Sequence, residues 1–277
     1  MITSDVLRAA TTALTPSSDT PRLDAEMLMA HTLGVSRSEL LLRHMAGPVP
    51  AAFALLLTRR QNHEPVAYIL GHQEFFGIDL LVTPDVLIPR GDSEVLVVAA
   101  LKARPDARRV LDCGTGSGAL LLAVLANLPE AQGIGIDRSL AGLEVAAANA
   151  ARLGQGERAS MRHADWDKPG WSHNLGCFDL ILANPPYVEV EAELASSVRN
   201  HEPAGALFAG PEGLDAYRCL IPQIPALLAP DGAALIEIGA ALAAPVTAIA
   251  EAAGLAATLH RDLAARPRVL ELVPKVI

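Results

Sequence analysis

Along the first part of the chain, hydrophobic positions recur at three- and four-residue spacing in short runs that glycine and proline interrupt. Ser4-Asp5 can cap a segment that runs to about Leu14. Thr20-Pro21 offer a cap and a first-turn proline for a helix over Arg22–Leu33, which Gly34 ends. From Ser36 to about Met45, Leu40, Leu41 and Leu42 form the apolar side, and Gly47-Pro48 breaks the run. Pro50 opens a fourth helix through Arg59 and Arg60. These pieces predict a small all-α domain over residues 1–72. The period then shortens. Glu74-Phe75-Phe76-Gly77, the Ile78–Val82 run, Thr83-Pro84-Asp85 and Val86-Leu87-Ile88 predict a β-hairpin turning at Pro84-Asp85. From about Ser93 strand and helix signals alternate, with strands at Val110–Asp112, Gly133–Asp137, Ala159–His163, Phe178–Ala183, Ala233–Ile238 and Arg268–Val273. Ala-rich helices are expected near 141–151 and 240–253. Such alternation indicates an α/β domain, a doubly wound and mostly parallel sheet, spanning residues 73–277 with the hairpin as linker.

Composition narrows the picture. Hydrophobic residues make up 51% of the 277 positions, enough for a sizeable core, while aromatics are only 4%, so Ala, Leu and Val must fill it. The net charge of -9 and the lack of a basic run point away from direct nucleic-acid binding. Cys113, Cys177 and Cys219 form no pair and join no histidine cluster, which predicts buried reduced thiols and no metal site. The amino terminus has no signal-peptide pattern, and the apolar stretches are shorter than a membrane span. A cytoplasmic protein without a membrane partner is expected.

Two places carry candidate chemistry. Val110-Leu111-Asp112-Cys113 runs into Gly114-Thr115-Gly116-Ser117-Gly118 and a helix start, a loop whose backbone can approach a ligand closely. With Ala119 it also satisfies the dinucleotide fingerprint, so a nicotinamide-dependent oxidoreductase fits the loop taken alone. Asp137, at the end of the next strand, stands where a carboxylate reaches ribose hydroxyls, or it caps the following helix, a role open to Ser139 as well. Asp165-Trp166 follow the third strand; the acid can accept from an exocyclic amine, and the indole can cover an adenine or simply pack. An adenosine-containing ligand is the reading these residues support.

The second place is Asn184-Pro185-Pro186-Tyr187, at the carboxyl end of the Phe178–Ala183 strand, the ligand edge of such a sheet. Two prolines fix two φ angles and remove two amide donors, leaving a side-chain amide and carbonyl acceptors. Two acceptors can pin the hydrogens of a planar NH2 group and leave its nitrogen facing a methyl donor, with the Tyr187 ring beside substrate or sulfonium. A flipped adenine or guanine offers the same kind of NH2 as a carboxamide, so a nucleic-acid amino-methyltransferase acting on adenine N6 or guanine N2 is the rival. No stretch of the chain is left over for a separate target-recognition domain. A non-catalytic binding module on a cofactor fold leaves this tetrapeptide unexplained.

The tetrapeptide downstream of the glycine loop resembles the class I amino-methyltransferases. Glu74-Phe75-Phe76-Gly77, Val86-Leu87-Ile88-Pro89-Arg90, Glu202-Pro203 with Ala206-Leu207, Gly213-Leu214-Asp215-Ala216-Tyr217-Arg218 and Ile236-Glu237-Ile238-Gly239 are together similar to the HemK/PrmC family, over nearly the whole chain. The resemblance implies a class I methyltransferase-type fold with a seven-stranded sheet. It implies methylation of the glutamine amide in the Gly-Gly-Gln motif of class 1 peptide chain release factors, with the helical domain docking the factor. S-adenosylmethionine, released as S-adenosylhomocysteine, is placed on Gly114, Thr115, Gly116, Ser117, Gly118, Asp137, Asp165, Trp166 and Asn184. The glutamine is placed on Asn184, Pro185, Pro186 and Tyr187, with Asn184, Pro185 and Tyr187 as the catalytic set. Three departures stand out: Gly91-Asp92-Ser93-Glu94 in place of Pro-Glu-Thr-Glu, Cys113 for a larger aliphatic residue, and the form of Ala209-Gly210-Pro211-Glu212.

Overall fold

The computed structural model describes residues 2–275. The chain forms two compact units, one running up to His72 and taking in Leu194–His201, the other holding Gln73–Glu193 and the chain from Glu202 onward. Nothing in the sequence marks Leu194–His201 as part of the first.

The first unit contains α1 (Thr3–Leu14), α2 (Pro21–Leu33), the short α3 (Arg37–Glu39) passing into a π-helical turn at Leu40–His44, α4 (Ala52–Gln61), α5 (Val66–Leu70) and, from the distant segment, α9 (Ser196–His201). Leu7, Leu14, Leu28, Met29, Leu40, Phe53 and Ile69 form its core. Gly34, at φ 67°, ends α2, and the Ser36 hydroxyl accepts from the Glu39 N–H at 3.1 Å. Ser4-Asp5 do not cap α1. Ile2 holds that position, because the buried Thr3 hydroxyl donates to the Gly47 carbonyl at 3.0 Å and draws Ser4 and Asp5 into the first turn. Thr20 precedes Pro21 as expected, but its hydroxyl donates to Asp24 at 3.0 Å instead of capping the backbone. α5 has only five residues, too few to show a period.

In the second unit the hairpin is shifted from its expected place. Its strands are β1 (His72–Phe75) and β2 (Ile78–Leu81), and the turn is Phe76-Gly77, not Pro84-Asp85. Both turn residues have positive φ, 49° and 76°, the geometry that matches strand twist in a two-residue loop. Val86–Ile88 form no strand, because the Ile88 N–H and the Arg90 guanidinium donate to the buried Glu202 carboxylate. These contacts join two motifs that are far apart in sequence, Val86–Arg90 and Glu202-Pro203.

A turn of 3-10 helix at Gly91–Ser93 leads into α6 (Glu94–Ala103). Then follow β3 (Arg109–Cys113), α7 (Ala119–Asn127), β4 (Gln132–Asp137), α8 (Leu140–Arg152), β5 (Ala159–His163), β6 (Phe178–Ala183), α10 (Asp215–Leu220), β7 (Leu228–Glu237), α11 (Ala243–Ala252), β8 (Leu255–Arg261) and β9 (Pro267–Pro274). The seven-stranded sheet has the order β5-β4-β3-β6-β7-β9-β8. Its first five strands pair in parallel, and β9 joins β7 and β8 antiparallel. β8 was not foreseen, since its alanines follow directly on an Ala-rich helix. Alternate residues of β6 supply both layers: Leu180 and Leu182 pack with α6 and α7, Ile181 and Ala183 with Tyr217 and Ile224. Winding starts at β3, runs out through β4 and β5 and returns at β6, so the switch point lies between the carboxyl ends of β3 and β6.

Cys113 is buried and Cys219 half-buried, but Cys177 is exposed, contrary to the expectation of buried thiols. It lies in the turn entering β6, outside both core layers. Among the described residues no helix is long and apolar enough to cross a membrane, and no group of three or more His, Cys, Asp or Glu side chains is placed to hold a metal ion.

Candidate active site

The glycine loop leaves β3 at the switch point and opens onto a cavity of about 360 Å³. Gly114, Thr115, Gly116, Ser117, Asp137, Asp165, Trp166, Asn184 and Pro186 all line it. Gly118 does not. It faces away, and a Cβ there would meet Leu122 and Ala146, so it serves helix packing. Gly114 is needed for close approach, because the Trp166 indole lies 3.0 Å from where its Cβ would stand. Trp166 thus both packs and faces the cavity.

The loop's N–H groups decide which ligand it suits. Those of Gly114 and Thr115 both donate to the Ile136 carbonyl at 2.9 Å, that of Gly116 to Asp137 Oδ2 at 3.0 Å, and that of Gly118 to the Thr115 carbonyl at 2.8 Å. Those donors are spent on the end of β4 and within the loop, whereas a pyrophosphate site keeps them free for phosphate oxygens. The charge agrees: Asp85, Asp137, Asp165, Asp167 and Asp215 line the cavity, against Arg90 and Arg138. A cationic ligand suits it better than a polyanion. Asp137 also accepts from the Ser139 N–H at 2.9 Å, while the Ser139 hydroxyl caps α8 through the Gly142 N–H at 3.0 Å. Asp137 is therefore not that helix's cap, and its carboxylate is held at the cavity wall.

Beneath the loop Asp112 is 1% exposed. Its Oδ2 accepts from the Thr115 hydroxyl at 2.7 Å and its Oδ1 has no partner. Burial pushes its pKa up to about 7, against Thr115's opposing hydrogen bond and with Asp137 adding to the rise. A carboxyl raised in the folded state holds a proton there that the unfolded chain has already lost, so stability falls as pH rises from about 3.9 to the raised value. Asp112→Asn is expected to lack this slope. Its stability relative to wild type should grow by about 2–3 kcal/mol between pH 5 and pH 8 in ligand-free protein. Melting curves that stay parallel across that range would reject the assignment.

The four residues of Asn184–Tyr187 do not act alike. Asn184 follows Ala183, which pairs with Cys113, so it stands at the switch point beside the glycine loop. Its Nδ2 donates to the Ser93 hydroxyl at 3.4 Å. Pro186 lines the cavity, while Pro185 is buried and its side chain does not. Tyr187 turns away, its ring 3.2 Å from where a Gly239 Cβ would stand and its hydroxyl donating to Glu237 Oε1 at 3.5 Å. Burial, then the Glu237 charge, pushes the Tyr187 phenol up to about 12, so it stays protonated and is no base. Ser93, Glu237 and Asp112 stand in motifs quoted from the sequence, but reading the sequence gave none of them a role in the site. The one local signal was Glu237 itself, an acid inside the apolar run Ile236–Ile238.

Residues 5–71 match a family model described as PrmC N-terminal domain, and residues 105–257 one described as methyltransferase domain. A relative from Caulobacter vibrioides, named release factor glutamine methyltransferase, is 41% identical over 91% of this chain and 89% of its own length. One of the same name from Cereibacter sphaeroides is 42% identical over 98% of both chains. The chain belongs to the release factor glutamine methyltransferase family. A methyltransferase domain over the glycine loop and Asn184–Tyr187 sets aside the nicotinamide oxidoreductase and non-catalytic readings, and the spent loop donors count independently against the first of these. In this family member the cavity, the loop and Asn184 all lie in the second unit, the loop and Asn184 inside the matched methyltransferase segment and the cavity closed on one side by residues that precede it, among them Val86, Pro89 and Ser93.

Proposed function

We propose that this methyltransferase transfers a methyl group from S-adenosylmethionine to the side-chain amide nitrogen, N5, of the glutamine in the Gly-Gly-Gln motif of class 1 peptide chain release factors. The observation that carries the reading is Asn184. Its NH2 end is tied to Ser93, so its oxygen is the end left to accept from a planar NH2 group at the cavity wall.

The residues present fit the methyl donor. The Trp166 indole, packed directly on Gly114, offers a flat face at the cavity wall, Asp137 offers a carboxylate to ribose hydroxyls, Asp165 can accept from an exocyclic amine, and the acid-rich wall suits sulfonium and ammonium charges. When bound, S-adenosylmethionine supplies an electrophilic methyl on sulfur. The chain's own work is orientation. An amide nitrogen is a poor nucleophile because its lone pair is delocalised over the carbonyl. Asn184 Oδ1 and the Pro185 carbonyl, the one polar group a proline offers, each accept one N–H of the glutamine and turn the nitrogen toward the donor. The oriented nitrogen would take the methyl as its bond to the donor sulfur breaks and would release one proton to solvent, S-adenosylhomocysteine being the other product. Tyr187 stays protonated and packs its ring against Gly239, away from the cavity. Fixed dipoles and proximity then supply the rate, without a general base.

We further assign residues 1–72 to docking the release factor, the role for which a compact helical unit apart from the cavity is suited. Both assignments meet one assay. Release factor incubated with enzyme and S-adenosylmethionine should gain one methyl group on that glutamine by mass spectrometry, while DNA and ribosomal RNA stay unlabelled. A labelled nucleic acid and an unlabelled factor would transfer the function to the rival substrate class. In the same assay a short Gly-Gly-Gln peptide should be methylated at least about tenfold less efficiently than the whole factor. Equal kcat/KM for both would reject docking.

A further inference from the structure

We propose that Gln223 is a positioning residue for the cofactor, holding the turn that carries Asp165 and Trp166 against the glycine loop. This rests on the roles proposed above for Asp165 and Trp166 at the adenine of the methyl donor.

The turn Asp165–Lys168 belongs to no helix or strand and lies between β5 and β6. It closes on itself, the Asp167 N–H donating to Asp165 Oδ1 at 3.0 Å and the Lys168 N–H to the Asp165 carbonyl at 2.9 Å. These bonds set its shape and not its place. One end is tied to the sheet, where the Ala164 N–H donates to the Asp137 carbonyl at 3.1 Å. The Trp166 ring rests on Gly114, 3.0 Å from where a Cβ would stand, a contact that blocks approach and barely resists retreat. A second tie is needed to keep the indole and the neighbouring carboxylate at the cavity wall.

The Trp166 carbonyl provides it. It accepts from Gln223 Nε2 at 3.1 Å and from Cys219 Sγ at 3.5 Å. Gln223 stands in the 3-10 turn Ile221–Ala226 that follows α10, and Ile221 and Ile224 of that turn are fully buried in the core. Its Nε2 also donates to the Cys219 carbonyl at 2.8 Å, and its Oε1 accepts from Trp171 Nε1 at 2.6 Å. The direction of this amide is fixed by its partners. An indole N–H only donates and a backbone carbonyl only accepts, so Nε2 faces the two carbonyls and Oε1 the indole. Both hydrogens and the oxygen are used, and one side chain ties two points of the β5–β6 connection, Trp166 and Trp171, to the core. Glutamate lacks the two donors, and methionine lacks all three groups.

A turn that drifts from Gly114 carries Asp165 and Trp166 away together. The glycine loop, Asp137 and Asn184 are held by bonds that Gln223 does not touch. The loss on removing Gln223 is therefore confined to the adenine end of the cofactor.

Two variants test this: Gln223→Met, close in length with no hydrogen bonds, and Gln223→Asn, which keeps the amide one methylene short. By calorimetry each should bind S-adenosylhomocysteine about tenfold more weakly than wild type, the worth of one or two such bonds. Methylthioadenosine, which lacks the amino-acid end, should weaken by the same factor. The KM for S-adenosylmethionine should rise in step, with kcat at saturating cofactor and the KM for release factor within about twofold. Trp171→Phe leaves Trp166 as the single indole, since the chain has two tryptophans. Its fluorescence should change on saturation with S-adenosylhomocysteine, and adding Gln223→Met should shift the ligand-free emission to the red. Wild-type S-adenosylhomocysteine affinity in folded Gln223→Met, a loss that spares methylthioadenosine, or a fall in kcat alone would each overturn the proposal. If Gln223→Met does not fold, Gln223→Asn decides by the same measurements. A Trp166 emission that S-adenosylhomocysteine leaves unchanged would overturn the reading of Trp166 as a cofactor residue, and this proposal with it.

Discussion

Asn184→Ala is expected to lower kcat on release factor by about a thousandfold while S-adenosylhomocysteine affinity stays within about fivefold. Losing one preorganised hydrogen-bonding group at a reacting centre costs roughly 10²–10³ in rate. Here the loss compounds, since the same group sets both the angle of the NH2 and the charge developing on nitrogen. The cofactor side should be spared, because the loop is shaped by bonds that do not involve Asn184: Gly114 and Thr115 to the Ile136 carbonyl, and Gly116 to Asp137. Single-turnover methylation read beside calorimetric titration with S-adenosylhomocysteine separates the two. Near wild-type turnover with intact cofactor affinity would remove Asn184 from the reaction, and a parallel loss of both would make it a cofactor residue only.

What could be read from sequence follows the range of the interaction. β3, β4 and β6 are buried on both faces, so each is a near-continuous apolar run, and the polar residue that ends a run, Asp137 or Asn184, marks the ligand edge. These were legible because strand and strand end are neighbours in the chain. Phe76 was not. A bulky residue at φ 49° is uncommon, and ordinary turn chemistry favours Pro84-Asp85. Side-chain direction was lost as well: Tyr187 was expected beside the substrate, but Glu237 and the space above Gly239 draw it the other way. Gly118 fitted the loop motif and serves packing instead. Ser93 meets Asn184 only through the fold, and no local pattern announces that a serine in a loop will be 4% exposed.

Gly213→Ala is the other change expected to have a large effect, and it tests whether Asn184–Tyr187 is held from behind. Gly213 has φ 67°, and a Cβ there would stand far inside contact distance of the Tyr187 carbonyl oxygen, a backbone atom that no side-chain rotation can move aside. The segment exiting the tetrapeptide is already strapped in place: the Val188 N–H donates to the Leu207 carbonyl at 2.8 Å, and the Ala209 N–H to the Val188 carbonyl at 2.9 Å. A methyl group at 213 therefore meets backbone fixed on both sides. Strain at positive φ and overpacking of this kind each cost about 1–3 kcal/mol, so the variant should lose about 3 kcal/mol and melt about 10 °C lower. Whatever relief the loop finds must displace the carbonyl of Tyr187, three residues from Asn184, and a shift near 1 Å costs about a hundredfold in kcat. Gly71→Ala is the control. Gly71 has φ 78° with nothing within 4 Å of its Cβ position, so it carries the conformational strain without the clash. It should lose about 1 kcal/mol and keep its turnover. If both variants behave alike, positive φ alone explains the glycine at 213, and the contact with the Tyr187 backbone does not position Asn184.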